Sequence, residues 1–300
     1  MLEVKHLLNR IAPEFLEELE GLAEGMRWPL YDVLHEYSGY QGNKVRAGCS
    51  SVMQNGMYIR NYDYYPKTYE GRFVFLNPKG RFATAGFAQR ATGRTDGMNS
   101  RGFAAGYHFV NRIKPADGLV CSTICRILLE QCSSTTEAIA LLKELPHRHA
   151  FNYSLYDSQG HAAVVEASAR GTVVRKTRSN YCTNHFISNE LSKENCHYLK
   201  DSYRREKRLA EIDWSTHTEA AAFQRFNHST DEIYSNQYSN WSGTMHTALY
   251  STEKQIILVG IGGDRTPVVL YIKKWAEGER IFLSKIKGKL DTTISVPFNW

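Results

Sequence analysis

Hydrophobic and polar positions along the chain fall into blocks with either helical or strand-like spacing. Residues 13–40 carry apolar side chains three or four positions apart, and Pro13 and Pro29 suit a first helical turn, which predicts two short helices. From about residue 50, short runs rich in aromatic and β-branched side chains alternate with turn signals such as Asn55-Gly56 and Asp96-Gly97. These runs predict antiparallel strands at 57–61, 72–76, 82–87 and 103–110.

The rest of the chain repeats this alternation. Helical spacing returns over 119–145, where Ser134-Thr-Thr-Glu137 forms a capping box between two predicted helices, and again over the polar stretch 190–225. This order of elements predicts an α+β fold, a four-layer αββα sandwich of two antiparallel sheets with helices outside. The only boundary that the sequence suggests is a shift in composition near residue 48. The remaining predicted strands are 153–156, 162–167, 172–175, 245–250, 255–260 and 268–272.

Composition narrows the class of protein. A chain of 300 residues with 42% hydrophobic and 23% charged residues has the composition of a folded globular protein. It has no apolar run of about 18 residues and no secretory pattern, so we expect no membrane span and a cytoplasmic location. The six cysteines are then expected to be reduced thiols. Without CxxC or HExxH spacing, we expect no metal and no cofactor.

Charge adds little. The net charge of +6 mildly favours anionic ligands, but no nucleic-acid motif accompanies it, so we expect no nucleic-acid partner. The densest basic run, residues 204–208, is typical of the solvated face of a helix.

Candidate chemistry begins at Cys49. A hairpin turning at Asn55-Gly56 would place Arg60 and Asp63 alongside the strand that starts with this thiol. An arginine near a cysteine stabilises the thiolate, and a carboxylate can orient a nearby chain amine. The same pattern also fits a buried structural cysteine beside a structural ion pair, and the spacing leaves both interpretations open.

Several short motifs occur together in a fairly specific order. The motifs are Glu20-Gly-Leu-Ala-Glu-Gly25, Gly48-Cys49-Ser50-Ser51, Arg60-Asn61-Tyr62-Asp63, Gly97-Met-Asn99-Ser-Arg-Gly102-Phe103, Ala105-Gly-Tyr-His108-Phe109, Thr183-Asn184-His185-Phe186 and Ser202-Tyr-Arg204-Arg205. With them the chain resembles the penicillin acyltransferase-like autoproteolytic cysteine enzymes, relatives of choloylglycine (bile salt) hydrolases and penicillin V acylases among the N-terminal-nucleophile hydrolases.

The resemblance implies an αββα fold and a precursor that cuts itself between Gly48 and Cys49. Residues 1–48 would then be a helical pro-segment and residues 49–300 the catalytic domain. A free α-amino group has an ordinary pKa near ~8, so the new first residue would supply both the thiol nucleophile and its general base.

The resemblance also implies a role for each of six residues. Histidine at position 108 departs from the family, in which asparagine is commoner, and Arg204 lies one position from the matched arginine. The implied roles are nucleophile for Cys49, stabilisation of the thiolate for Arg60, binding of the Cys49 amine for Asp63, oxyanion donors for the Asn184 side chain and the His108 backbone N–H, and second active-site arginine for Arg205.

The function that follows from the resemblance is hydrolysis of a linear amide in a small N-acyl compound through a thioester on Cys49. One alternative is acyl transfer from a thioester such as acyl-coenzyme A, or from an amide, to an amine acceptor. A second is a non-catalytic binding protein that keeps the fold and remains uncut. Family habit also suggests a homo-oligomer.

Overall fold

The structure is a computed structural model that describes residues 2–42, 48–111, 114–176, 180–196, 198–240 and 242–297. Residues 1 and 43–47 of the predicted pro-segment, and residue 197 of the predicted helical stretch, lie outside this range, as do the other gaps in 49–300. The α-helices are α1 Leu2–Ile11, α2 Pro13–Met26, α3 Leu30–Tyr37, α4 Cys121–Gln131, α5 Thr135–Glu144, α6 Lys200–Ala210, α7 Glu219–Asn227 and α8 Ile272–Ala276. Short 3-10 helices cover Pro66–Thr68, Ser192–Glu194, Trp214–Thr216 and Tyr238–Asn240.

The strands form two antiparallel sheets. The first has the order β11-β1-β2-β13-β14-β15 with β12 beside β13, and the second has the order β10-β9-β8-β7-β6-β4-β3 with β5 beside β4. The strands are β1 Gly48–Gln54, β2 Met57–Tyr64, β3 Phe73–Leu76, β4 Thr84–Gln89, β5 Gly93–Arg94, β6 Asp96–Asn99, β7 Ala104–Asn111, β8 Ala150–Tyr156, β9 Ala162–Ser168, β10 Gly171–Val174, β11 Tyr181–Cys182, β12 Asn236–Gln237, β13 Ser242–Ser251, β14 Ile256–Ile261 and β15 Val268–Tyr271.

The sheets pack face to face and helices cover both outer faces. Strand β1 contacts β7 and β8 across the interface, α4 and α5 cover the second sheet, and α6 and α7 cover the first. One apolar cluster, including Trp214, Phe223 and Phe226, fills the space between the first sheet and its helices. The predicted four-layer αββα sandwich is therefore confirmed.

The first three helices share the main hydrophobic core with α4. Phe15 and Leu19 of α2 are buried there, and the Arg126 guanidinium of α4 lies 4.4 Å from the centre of the Phe15 ring. Glu18 pairs with the same guanidinium, with Nη1 donating at 3.0 Å. The helical part of the predicted pro-segment is thus integrated into the fold.

The hairpin of β1 and β2 determines which side chains reach the interface between the sheets. Asn55 and Gly56 have φ angles of 56° and 72°, and a two-residue turn with both φ angles positive is the type that matches strand twist. Cys49 is opposite Tyr62, and Gly48 is opposite Asp63. Because side chains alternate between faces, Cys49 and Arg60 share one face, and Asp63 lies on the other.

Some elements differ from the prediction. Helix α1 was not predicted, and Asp96-Gly97, predicted as a turn, begins strand β6. The capping box is present, with Ser134 Oγ accepting from the Glu137 N–H, although the Glu137 carboxylate accepts from Ser133 instead of Ser134. None of the described helices has the length and apolar character needed to cross a membrane.

Candidate active site

A buried thiol and a buried guanidinium meet between the sheets. Arg60 Nη2 donates to Cys49 Sγ over 3.0 Å, and both residues have no exposed surface. The guanidinium is held from the second sheet, because Nη1 donates to the Thr95 carbonyl at 2.8 Å and Nη2 to the Tyr107 carbonyl at 3.0 Å. The orientation of Arg60 toward the sulfur is thus fixed by the packing of one sheet on the other.

Burial dominates the ionisation of the thiol. It raises the pKa of Cys49 to about 11, and the neighbouring Arg60 charge offsets only part of this effect. The thiol is therefore protonated at neutral pH in the intact chain. A base is needed before this sulfur can act as a nucleophile.

Asp63 lies beside Gly48 on the opposite face of the hairpin. Its Oδ1 accepts from the Thr244 hydroxyl at 2.7 Å, and its Oδ2 is buried with no hydrogen-bond partner in the described part of the chain. Burial raises the pKa of Asp63 to about 6, against the lowering effect of Arg205. A Cβ added to Gly48 would lie 3.0 Å from Oδ2, so this oxygen, which is 3.9 Å from Arg205 Nη1, borders the Gly48 backbone.

Arg205 connects the strand of Cys49 to Asn184. Its Nη1 donates to the Cys49 carbonyl at 2.5 Å and to Ser50 Oγ at 2.8 Å, and its Nη2 donates to Asn184 Oδ1 at 2.9 Å. Asp201, one turn earlier on α6, orients the guanidinium by accepting from Nε at 2.8 Å. Arg204 is partly exposed and contacts Asp201 and Glu232, so the structure brings Arg205, and not Arg204, to Cys49 and Asn184.

Asn184 contacts the backbone at the predicted cut. Its Oδ1 accepts from the Cys49 N–H at 2.7 Å, and its Nδ2 donates to the Phe109 carbonyl at 2.8 Å. The side chain is thus occupied by backbone groups in the intact chain. Because Nδ2 carries two hydrogens, a role as oxyanion donor requires one of them to point at the substrate oxygen.

His108 lies on β7 with its ring between two hydroxyl groups. Nε2 is 3.1 Å from Ser51 Oγ and 2.9 Å from Ser154 Oγ. Burial holds the pKa of His108 well below its ordinary value, and Arg60 and Arg175 add to this effect. The ring is therefore neutral at neutral pH.

The sequence prediction missed Asp96, which is 3.1 Å from Arg60 Nε through its Oδ2. An aspartate before glycine has the pattern of a turn, and only its place on a strand facing Arg60 shows its contact with the site. In the parts of the chain that the structure describes, no cluster of histidine, cysteine, aspartate and glutamate could hold a metal.

The two packed antiparallel sheets have the fold of the N-terminal-nucleophile hydrolases. The chain superposes on the cysteine-to-alanine mutant of conjugated bile acid hydrolase from Clostridium perfringens with a TM-score of 0.59 and 12% identity, covering 83% of this chain and 100% of that one. An arginine-to-leucine variant of the same hydrolase gives a TM-score of 0.53 at 12% identity, covering 76% and 93%. Penicillin V acylase from Agrobacterium tumefaciens gives 0.49 at 15% identity, covering 74% and 84%.

The amino-acid sequence identifies a narrower family than the fold does. Residues 52–265 match the family model described as acyl-coenzyme A:6-aminopenicillanic acid acyl-transferase, and the chain belongs to this family. The resemblance inferred from the short motifs is confirmed. No curated protein sequence is significantly similar to the chain. Because the matched range begins at Val52, the role of Cys49 depends on the geometry described above and on the motif around it.

Proposed function

We propose that the protein is an N-terminal-cysteine amidohydrolase that cleaves a linear amide of a small N-acyl compound. The observation that carries this proposal is the contact of 3.0 Å between Arg60 Nη2 and Cys49 Sγ at the start of strand β1. Membership of an acyl-transferase family and a fold shared with conjugated bile acid hydrolase support acyl chemistry at this thiol.

The first step is a cut of the chain's own Gly48–Cys49 bond. The Cys49 sulfur attacks the Gly48 carbonyl carbon, an S–C bond forms, the C–N bond breaks, and the Cys49 nitrogen takes up the thiol proton. Water then hydrolyses this thioester, which gives a carboxylate on Gly48 and restores the thiol. Residues 1–48 become a separate pro-segment, and Cys49 becomes the first residue of the catalytic chain.

Turnover uses the amine made by that cut. Its ordinary pKa near ~8 suits a general base at neutral pH, whereas the buried thiol alone is too weak an acid. We expect Asp63 Oδ2, which borders Gly48 and has no hydrogen-bond partner in the described residues of the intact chain, to accept a hydrogen bond from this amine. The sulfur attacks the substrate carbonyl, the leaving amine takes the proton, and water releases the acid from the thioester.

Two donors are proposed for the oxyanion of each tetrahedral intermediate. They are Asn184 Nδ2, which carries two hydrogens and donates one to the Phe109 carbonyl in the intact chain, and the backbone N–H of His108. Arg205 holds Asn184 and the Cys49 carbonyl in place. Loss of one such donor lowers turnover on the order of 100-fold to 1000-fold in well-studied hydrolases.

The family description favours a second candidate, acyl transfer from an acyl-coenzyme A thioester to an amine. Both reactions pass through the same thioester on Cys49 and differ in whether water or an amine accepts the acyl group. Adding an amine to a hydrolysis assay separates them, because a transferase forms the new amide at the expense of the free acid. The cytoplasmic location and a homo-oligomer remain predictions.

The test is the mass of freshly purified wild-type protein beside the variants Cys49→Ala and Cys182→Ala. Cys182 is a matched control because it is also fully buried and lies on β11, next to β1. We expect wild type and Cys182→Ala to separate into pieces ending at Gly48 and starting at Cys49, and Cys49→Ala to stay whole. An uncut wild type without turnover of amides or thioesters would contradict the proposal and favour a binding protein.

A further inference from the structure

Arg60 contacts two ionisable groups on different strands. Its Nη2 donates to the Cys49 sulfur at 3.0 Å, and its Nε is 3.1 Å from Asp96 Oδ2 in an ion pair that lacks hydrogen-bond geometry. All three side chains are fully buried, and Asp96 belongs to the sheet that packs against the hairpin of Cys49 and Arg60. The guanidinium therefore connects a thiol of one sheet to a carboxylate of the other.

The surroundings of Asp96 hold it in its charged form. Its Oδ1 accepts from the Tyr250 hydroxyl at 2.9 Å, and its Oδ2 is 3.3 Å from His246 Nε2. Burial acts to raise the pKa of Asp96, but Arg60 and His246 outweigh it and lower this pKa below its ordinary value. The His246 ring is itself fixed, because it stacks on Phe87 with 3.6 Å between ring centres.

Titratable groups face this pair of charges from several elements. Those near Asp96 are Arg60 and Tyr58 of β2, His246 and Tyr250 of β13, Cys125 of α4, and Tyr69 after the first 3-10 helix. Those near Cys49 are Arg60, Tyr62 and Asp63 of β2, His108 of β7, Cys182 of β11 and Arg205 of α6.

We propose that Asp96 is a positioning residue of the candidate active site: it fixes the Arg60 guanidinium against Cys49 and balances its charge. The nucleophile then remains a neutral thiol in the intact chain instead of an ion pair with Arg60. The catalytic meaning of this proposal rests on the proposed function, whereas its electrostatic part applies equally to an uncut chain.

Removing the carboxylate leaves Arg60 with an unbalanced charge beside the sulfur. Two unit charges on opposite sides of one guanidinium, at an effective dielectric constant of about 20, change a pKa by roughly one to two units. The Asp96→Asn variant should therefore form the Cys49 thiolate one to two pH units lower than wild type. A purely structural role for Asp96 would lower stability without this shift.

The experiment is a pH titration of thiolate absorbance at 240 nm, with the Cys49→Ala counterpart of each protein subtracted. This subtraction isolates one thiol among six and needs no reagent to reach a buried sulfur. Tryptic peptides 47–60 and 49–60 report the uncut and cut chains of each sample, since Arg46 and Arg60 bound them. Titration midpoints are compared between samples of the same cut state.

Glu130→Gln is the matched control. It breaks another buried ion pair, in which Arg126 Nε lies 2.6 Å from Glu130, at a distance from Cys49. We expect its midpoint to equal that of wild type. If Asp96→Asn shifts the midpoint by less than about 0.3 units, or if Glu130→Gln shifts it equally, the electrostatic part of the proposal is overturned.

The variant Asp96→Glu tests separately whether Asp96 positions Arg60. It also replaces Asp96→Asn as the test if Asp96→Asn does not fold. It keeps the charge and moves the carboxylate by one methylene, so we expect an unchanged midpoint with self-cutting at least about three-fold slower. An unchanged cutting rate overturns the positioning role. Wild type that yields only peptide 47–60 and no turnover contradicts the proposed function instead, and the midpoint of Asp96→Asn still decides the inference.

Discussion

Substitution of Arg205 gives the sharpest test of the candidate site, because the adjacent Arg204 provides a matched control. Replacing Arg205 with lysine keeps one positive charge but loses the planar fork that reaches the Cys49 carbonyl, Ser50 Oγ and Asn184 Oδ1 together. A lysine ammonium can satisfy only part of this set. The matched change, Arg204→Lys, alters a partly exposed pair with Asp201 and Glu232.

The expected cost follows from burial. Arg205 is 2% exposed, and leaving one or two of its buried acceptors unsatisfied costs about 2–4 kcal/mol. The exposed Arg204 pairs contribute less than about 1 kcal/mol. At roughly 2 °C per kcal/mol for a chain of this length, Arg205→Lys should lower the melting temperature by about 4–8 °C, and Arg204→Lys by less than about 2 °C.

The assay is thermal unfolding of both variants in the Cys49→Ala background, in which no cut divides the population. With Cys49 restored, the rate of self-cutting is the second measurement, and only Arg205→Lys should slow it. Equal melting temperatures for the two variants would refute the assignment of Arg205 to the site. A larger drop in the rate of self-cutting in Arg204→Lys than in Arg205→Lys would refute it as well.

Four further outcomes are expected. Gly48→Ala should slow self-cutting, because the added Cβ would lie 2.6 Å from Ser242 Oγ and 3.0 Å from Asp63 Oδ2; an unchanged rate in a time course would argue against this packing. Burial raises the pKa of Asp63 to about 6 in the folded chain. The contribution of its bound proton to the free energy of unfolding is therefore fully present below about pH 4 and is lost as pH rises through 6. In the Cys49→Ala background, Asp63→Asn should therefore gain up to about 3 kcal/mol relative to wild type between pH 4 and pH 7, and a pH-independent difference in unfolding free energy would contradict this. The cut N-terminal piece should co-elute with the rest in gel filtration and should be released by Glu18→Lys, which places two cations together at Arg126; continued co-elution of that variant would show that apolar packing suffices. His108→Asn should keep turnover within about ten-fold if the backbone N–H is the oxyanion donor, and a loss of 100-fold or more would assign the role to the side chain.

Local sequence signals predicted much of the fold. The Asn55-Gly56 turn pairs residues three to fifteen positions apart in sequence, so the hairpin and the shared face of Cys49 and Arg60 follow from strand periodicity. Helices α4 and α5 were similarly evident from their spacing and from the cap at Ser134. The same periodicity puts Asp63 on the opposite face from the thiol, beside Gly48.

The remaining contacts depend on packing between distant segments. Asn184 reaches the Cys49 N–H across 135 residues, and no pattern near either residue indicates that pairing. Motif resemblance located Asn184 and Arg205, but it did not show that the two side chains bond to each other in the intact chain. Asp96 was missed because short strands that start with Asp-Gly resemble turns when their neighbours are unknown.

The position of the hairpin within its sheet has a consequence for synthesis of the chain. Strand β2 lies between β1 and β13 in the first sheet. Thr244 of β13 donates to Asp63 of β2 and comes 181 residues after Asp63 in the sequence. At translation rates of about 5–20 residues per second, roughly ten to forty seconds separate these two residues on the ribosome. A nascent chain therefore carries Cys49 long before its surroundings exist, so under the proposed function we expect self-cutting to begin only after the residues around Thr244 have been synthesised.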